Sequence, residues 1–167
     1  MTTPPIPPQT FIGHVHLKVS NIERSVKFYT EALGFELMQR FGQSAAFLSA
    51  GGYHHHLGLN TWESAGGPPP APGTTGLYHF AILYPDRKEL ARALKRLLDY
   101  GWNIDGAADH GVSEAIYLHD PDYNGIEIYR DRPRAEWPIE NGELKMANAP
   151  LDFDALLAEL EEEAVQA

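Results

Sequence analysis

The sequence predicts an α+β chain of 167 residues built from two tandem units, each a strand, a helix and three further strands. Two observations carry this. Two stretches, GHVHLKVSNIERSVKFYTEALGFEL and YHFAILYPDRKELARALKRLLDYGWNI, open alike, and each changes from a two-residue to a three- or four-residue apolar period across a polar turn.

In the first unit Val15, Leu17 and Val19 alternate with His14, His16 and Lys18, and Ile22, Val26, Tyr29 and Leu33 follow at helical spacing, closed by Gly34. In the second, Phe80, Ile82 and Tyr84 alternate with His79, Ala81 and Leu83. Leu90, Ala91, Leu94, Leu97 and Leu98 then mark a helix that closes near Gly101. The repeat matches His14 to His79. Short strands are expected at Phe35–Arg40, Ala45–Ser49 and His55–Asn60, and again at Trp102–Ile104, Ala115–His119 and Gly125–Tyr129. The first module thus spans 11–62 and the second 76–130. Between them lies a Pro/Gly-rich loop, 63–75, that cannot form helix or sheet. The extension 131–167 has an irregular exit and a short acidic helix, whose Leu151, Phe153, Leu156, Leu157 and Leu160 suggest docking on the body or on a second subunit.

Composition narrows the functions. With 43% apolar and 22% charged residues the chain is an ordinary globular one, long enough to bury roughly two-thirds of its unfolded surface, so a metal would serve chemistry more than folding. The absence of cysteine removes thiolate nucleophiles and sulfur ligands, leaving histidine, carboxylate and water for any ion. The net charge of −10 is concentrated in 131–167, with ten Asp/Glu against three Lys/Arg, and argues against a nucleic-acid partner. No stretch approaches a membrane span and the opening MTTPPIPPQT lacks a signal pattern, so a cytoplasmic location is expected.

Eight histidines stand at 14, 16, 54, 55, 56, 79, 110 and 119. If the two units pack as related halves, their first strands lie side by side and bring His14 and His79 to matching points on one face. Glu127, flanked by Ile126 and Ile128 in GIEIY, points away from the core, and a carboxylate facing two imidazoles is costly when dry unless a cation is present. Two His and one carboxylate on one face leave open positions of the kind used in non-heme Fe(II) oxygen chemistry. A lone inward histidine is more often a hydrogen-bonded core or surface residue, so spacing alone leaves metal binding and a structural role both open. His119, beside the turn DPDYNG, reads as a surface residue.

Taken in order, GHVHLKV, FYTEALGFEL, LYHFAI and DPDYNGIEIY resemble the vicinal-oxygen-chelate superfamily over residues 11–130. That superfamily includes glyoxalase I, bleomycin-resistance proteins and type I extradiol catechol dioxygenases. The resemblance implies paired βαβββ modules forming an open curved mixed sheet around a metal site. AGGYHHHLGLNTW with DHGVSEAIYLHDPDYNGIEIYRDRP is most similar to catechol 2,3-dioxygenase-type enzymes. This implies Fe(II), with Mn(II) as the other candidate, on His14, His79 and Glu127. It further implies His55 as acid–base residue, Tyr117 as a substrate contact and His110 as a hydrogen-bond partner of a substrate hydroxyl. The implied substrates are a small aromatic diol and O2.

Glyoxalase-like members carry a further carboxylate on the last strand of the first module. Here HHHLGLN has none, and Gly58 falls in that slot, where a small residue is expected to leave room for substrate. His56 as a fourth ligand would favour a lyase or isomerase instead, and a metal-free bleomycin-resistance-like binding protein is the third reading. Extradiol enzymes of this type mostly have four modules, so two imply a one-domain form or half of a dimeric assembly, hence a homodimer or higher oligomer. A second departure is Tyr123, where the family commonly has glycine.

Overall fold

Alternation along the first strand decides which way its side chains turn: Leu17 and Val19 are buried while His16 and Lys18 remain exposed. The computed structural model describes residues 4–161. Strand β1 (Val15–Lys18) leads to helix α1 (Ile22–Lys27), whose N-cap Asn21 accepts from the Arg24 N–H. The helix runs on as a π-helical turn over Phe28–Ala32, so the expected single α-helix changes its hydrogen-bond period half-way, before Gly34 at φ 83° ends it. Strands β2 (Glu36–Phe41), β3 (Ala45–Ser49) and β4 (Leu57–Asn60) complete the module.

The second module repeats this with β5 (Phe80–Leu83), α2 (Arg87–Tyr100), β6 (Gly106–Asp109), β7 (Ser113–His119) and β8 (Gly125–Asp131). Helix α2 is capped by Asp86, which accepts from Glu89 N–H, and stops at Gly101 in the left-handed conformation, φ 75°. Residues 61–79 between the modules contain no helix or strand.

Each module forms one four-stranded mixed sheet, in the orders β1-β4-β3-β2 and β5-β8-β7-β6. In both, the first strand runs parallel to the last, with His16 beside Gly58 and Ala81 beside Glu127. The two sheets are separate and open. Contrary to the side-by-side packing expected of β1 and β5, each is an edge strand of its own sheet.

The modules meet through their helices. Leu17 of β1, Val19 just after it, Val26, Phe28 and Tyr29, Leu90, Leu94 and Leu97 of α2, and Ile116, Leu118, Ile126 and Ile128 belong to one buried cluster. At the junction Tyr29 Oη donates to Asp120 Oδ2 at 2.9 Å, Ser25 Oγ donates to Asp122 at 3.2 Å, and Arg24 pairs with Asp122. The Phe28 ring lies 4.6 Å from that of Trp102.

That last contact explains a displaced strand. Trp102–Ile104 is a connection rather than a strand, because the Trp102 indole packs on Phe28 and its Nε1–H donates to the His119 carbonyl at 2.8 Å. Pairing begins only where Gly106 reaches Tyr117.

The extension after β8 is more ordered than an irregular exit. It forms a small hairpin, β9 (Ile139–Glu140) and β10 (Glu143–Leu144), and lays Ala149 against Asp109 on the outer edge of β6. Helix α3 (Phe153–Leu157) docks on the body: Leu156 is buried, and Arg87 bonds the Ala155 carbonyl and Glu159. The same Arg87 joins Arg130 and Arg132 around buried Glu114, so that carboxylate is held by charge rather than stranded. The acidic helix expected to continue past Leu160 lies partly outside the described residues.

Candidate functional site

The second sheet turns Ile126 and Ile128 into the core and thereby presents Glu127 on its other face. There His79, just ahead of β5, places Nε2 2.9 Å from Glu127 Oε2. Two donors bound to one ion at about 2.1 Å and at right angles stand about 3.0 Å apart, so this pair fits adjacent positions on a common cation. Glu127 is only 14% exposed and His79 32%, which makes the pair partly sheltered. Gly125 fixes the spacing: a Cβ there would lie 2.1 Å from the Tyr78 carbonyl oxygen, so only glycine allows the chain before β5 to approach β8 this closely.

Tyr117 is the cross-strand neighbour of Glu127, and its ring is 5.8 Å from that of His79. Its hydroxyl meets His110 Nε2 at 2.8 Å, while His110 Nδ1 meets the Ala147 carbonyl at 3.0 Å. A carbonyl only accepts, so Nδ1 carries the proton, and in neutral His110 Nε2 is the acceptor to which Tyr117 donates. Both ring nitrogens are thus engaged, and His110 reaches anything beyond only through Tyr117. Burial, reinforced by the negative charge of Glu127, raises the Tyr117 pKa and keeps it a phenol.

The first sheet holds the remaining residues. His14 is exposed just ahead of β1, with its ring 4.4 Å from His55. His55 Nδ1 lies 2.8 Å from His54 Nδ1, and its ring packs 5.1 Å from Phe47. Desolvation, followed by the neighbouring imidazoles of His14, His54, His16 and His56, lowers the His55 pKa. His56 turns to the β3–β4 connection, where Nδ1 accepts the Ala50 N–H at 3.2 Å and lies 3.1 Å from Ser49 Oγ. It serves that turn and is not presented as a fourth ligand.

Gly58 also reads differently in place. A Cβ there would stand 2.9 Å from the His16 ring, so the missing side chain accommodates His16 rather than opening free volume.

The six residues singled out in the sequence therefore fall into two groups. His79, Glu127, Tyr117 and His110 gather on the second module, His14 and His55 on the first. Among the described residues no cluster of three or more His, Asp or Glu side chains is arranged to hold an ion. Sequence reasoning missed Gly125, whose position at the start of a strand beside a turn was the available signal, and Ala147, whose backbone carbonyl leaves none.

No helix among the described residues is long and apolar enough to cross a membrane. The chain is 45% identical over 155 residues to the catechol-2,3-dioxygenase of Bacillus subtilis (strain 168), an alignment covering 92% of this chain and 53% of that protein. It is 28% identical over 120 residues to biphenyl-2,3-diol 1,2-dioxygenase 3 of Rhodococcus globerulus, covering 72% of this chain and 63% of that one. The chain thus spans about half the length of the Bacillus relative and under two-thirds of the Rhodococcus one. The fold matches a glyoxalase/dioxygenase crystal structure from Nostoc punctiforme, with a TM-score of 0.64 and 21% identity over 80% of this chain and 100% of that one. Residues 11–128 match a family profile, and with it the repeated module and its topology establish that the chain belongs to the Glyoxalase/Bleomycin resistance protein/Dioxygenase superfamily.

Proposed function

We propose that the protein is a non-heme Fe(II)-dependent extradiol dioxygenase that opens catechol-type aromatic diols with O2 to give a semialdehyde. The observation that carries this reading is the His79–Glu127 pair, spaced for one cation, with the Tyr117 phenol beside it on the same sheet face. The catechol and biphenyl-diol dioxygenase relatives support the substrate class. Imidazole and carboxylate suit Fe(II), and Mn(II) is the other ion proposed for such a mixed nitrogen and oxygen donor set.

When bound, the iron supplies a shared centre at which diol and O2 meet and exchange electrons. The chain's own residues supply proton handling and orientation. His79 and Glu127 would hold the ion, with His14 the third ligand that the family resemblance implies. His55 takes the proton of a diol hydroxyl and returns it as the ring opens, a role suited to imidazole near neutral pH. Tyr117, its own proton directed at His110, keeps an oxygen lone pair for a substrate hydroxyl, and His110 fixes that orientation. His56 and Gly58 place no carboxylate or imidazole as a fourth ligand, which disfavours a lyase of glyoxalase type.

Protein loaded anaerobically with Fe(II), then given catechol and air, should develop the yellow absorbance of a ring-opened product. Bound iron with no colour from several catechols would exclude the activity. His55→Ala should slow turnover about 10²–10⁴-fold with iron retained, and loss of iron would make His55 a ligand instead.

A further inference from the structure

We infer that residues 145–149 of the C-terminal extension are a positioning element of the active site. Through its backbone carbonyl, Ala147 makes Tyr117 an acceptor rather than a donor toward a substrate hydroxyl. This rests on the dioxygenase reading above and adds what sets the polarity of that phenol.

The extension reaches this place by a fixed route. Past β8 the Trp137 Nε1–H donates to the Arg132 carbonyl at 2.9 Å, and the Pro138 ring packs on the turn at Gly111, 3.1 Å from where a Cβ would stand. The β9–β10 hairpin then reverses the chain, and the Lys145 N–H returns to the Pro138 carbonyl at 2.8 Å. Beyond residue 149, buried Leu156 and the bonds from Arg87 to the Ala155 carbonyl and to Glu159 fasten α3 to the body. The segment between is pinned at both ends.

There it lies along β6 and grips the turn that carries His110. Asp109 and Ala149 exchange backbone N–H···O bonds of 2.8 and 3.0 Å, and the Ala147 N–H donates to the His110 carbonyl at 2.9 Å. Arg132 holds the same turn from β8. Its guanidinium bonds Asp109 Oδ2 at 2.7 Å, Asp109 Oδ1 accepts the Gly111 N–H at 2.8 Å, and the Arg132 N–H donates to the Val112 carbonyl at 2.7 Å. The His110 ring is left between two fixed partners, the Ala147 carbonyl on Nδ1 and the Tyr117 hydroxyl on Nε2.

A neutral imidazole has one proton and cannot donate from both nitrogens. With the Ala147 carbonyl in place the proton sits on Nδ1, Nε2 accepts from Tyr117, and the phenol oxygen turns its lone pairs to the substrate. Without that carbonyl Nδ1 faces water, which donates as readily as it accepts, and the proton is free to move to Nε2. That tautomer would donate to the phenol oxygen and turn the Tyr117 O–H outward. A diol hydroxyl that must itself donate needs an acceptor opposite it, so the extension selects the productive polarity.

The tautomer can be read directly from the ring nitrogen NMR shifts of the full-length, metal-free protein in mildly alkaline buffer. Wild-type His110 should show a protonated Nδ1 and an unprotonated Nε2. Ala147→Pro removes the N–H and sets a ring carbon against the His110 carbonyl, which should move the proton toward Nε2 while the urea midpoint stays close to wild type. Ala147→Val keeps both backbone groups of an exposed residue and should match wild type. In the iron-loaded enzyme Ala147→Pro should lower kcat for catechol opening about 10- to 100-fold with iron content unchanged. Added to Tyr117→Phe it should cost little more, because both changes act through one hydroxyl. If Ala147→Pro folds poorly, Ala149→Pro loosens the Asp109 pairing alone and should shift the same signals in part. A wild-type His110 protonated on Nε2 would overturn the proposal whatever the activity. So would a loss in Ala147→Pro that adds in full to that of Tyr117→Phe. The expected tautomer change in a protein that opens no catechol would uphold the positioning of Tyr117 and sink the dioxygenase reading instead.

Discussion

Tyr123 sits at φ 64°, in the left-handed region that a residue with a Cβ enters at a cost of roughly 1–2 kcal/mol. The turn around it explains why the chain accepts that strain. The carboxylate of Asp120 takes the N–H groups of Asp122 and Asn124 and the Asn124 side-chain amide, so the backbone between them has little choice of path. A glycine at this position would adopt the same backbone conformation without that strain. Tyr123→Gly should raise the unfolding free energy by about 1 kcal/mol in urea denaturation, and a lower midpoint would show that the Tyr123 ring, 5.6 Å from His119, supports the fold. At this scale the separation of His14 from His79 and Glu127 was not legible. The outward face of Glu127 was, because the two-residue period of a strand assigns each side chain a face. The partner of His110 was not, because Ala147 contributes a carbonyl and a carbonyl carries no residue identity.

Helix α1 is six residues long before its π-helical turn, too short to persist without tertiary packing. It is held by the neighbouring module, chiefly by Tyr29 reaching Asp120 and by Phe28 on Trp102. Tyr29→Phe keeps the ring and removes one donor from a buried carboxylate, which should lower stability by about 1–3 kcal/mol as a shift in the urea midpoint. An unchanged midpoint would mean that the hydroxyl contributes nothing to the junction. Elements with strong apolar periods, such as β1, β7 and α2, were readable in order and close to their ends. Strand β6 was not, since its sequence GAAD has neither alternation nor β-branched residues and is strand only because β7 pairs with it. Helix α1 misled in a milder way: Ile22 to Leu33 keeps a helical apolar spacing that does not distinguish an α turn from the wider π turn in which Phe28 and Tyr29 are buried.

At the scale of the molecule, periodicity specifies which face a residue occupies but not which sheet stands next to which. The repeat of His14 and His79 made two adjoining first strands the natural expectation, whereas tertiary bonds spanning some ninety residues of chain, from Tyr29 to Asp120 and from Arg24 to Asp122, join the modules through their helices. One buried cluster crosses that junction, so the connection over residues 61–79 ties together two bodies already held side by side. This loop, rich in glycine and proline and largely exposed, is also the kind of segment that proteases cut first. A chain severed there should migrate undivided on a sizing column in native buffer and separate into two fragments only in denaturant. Fragments that part without denaturant would show that the peptide tether, and not the Tyr29–Asp120 junction, keeps the halves in place.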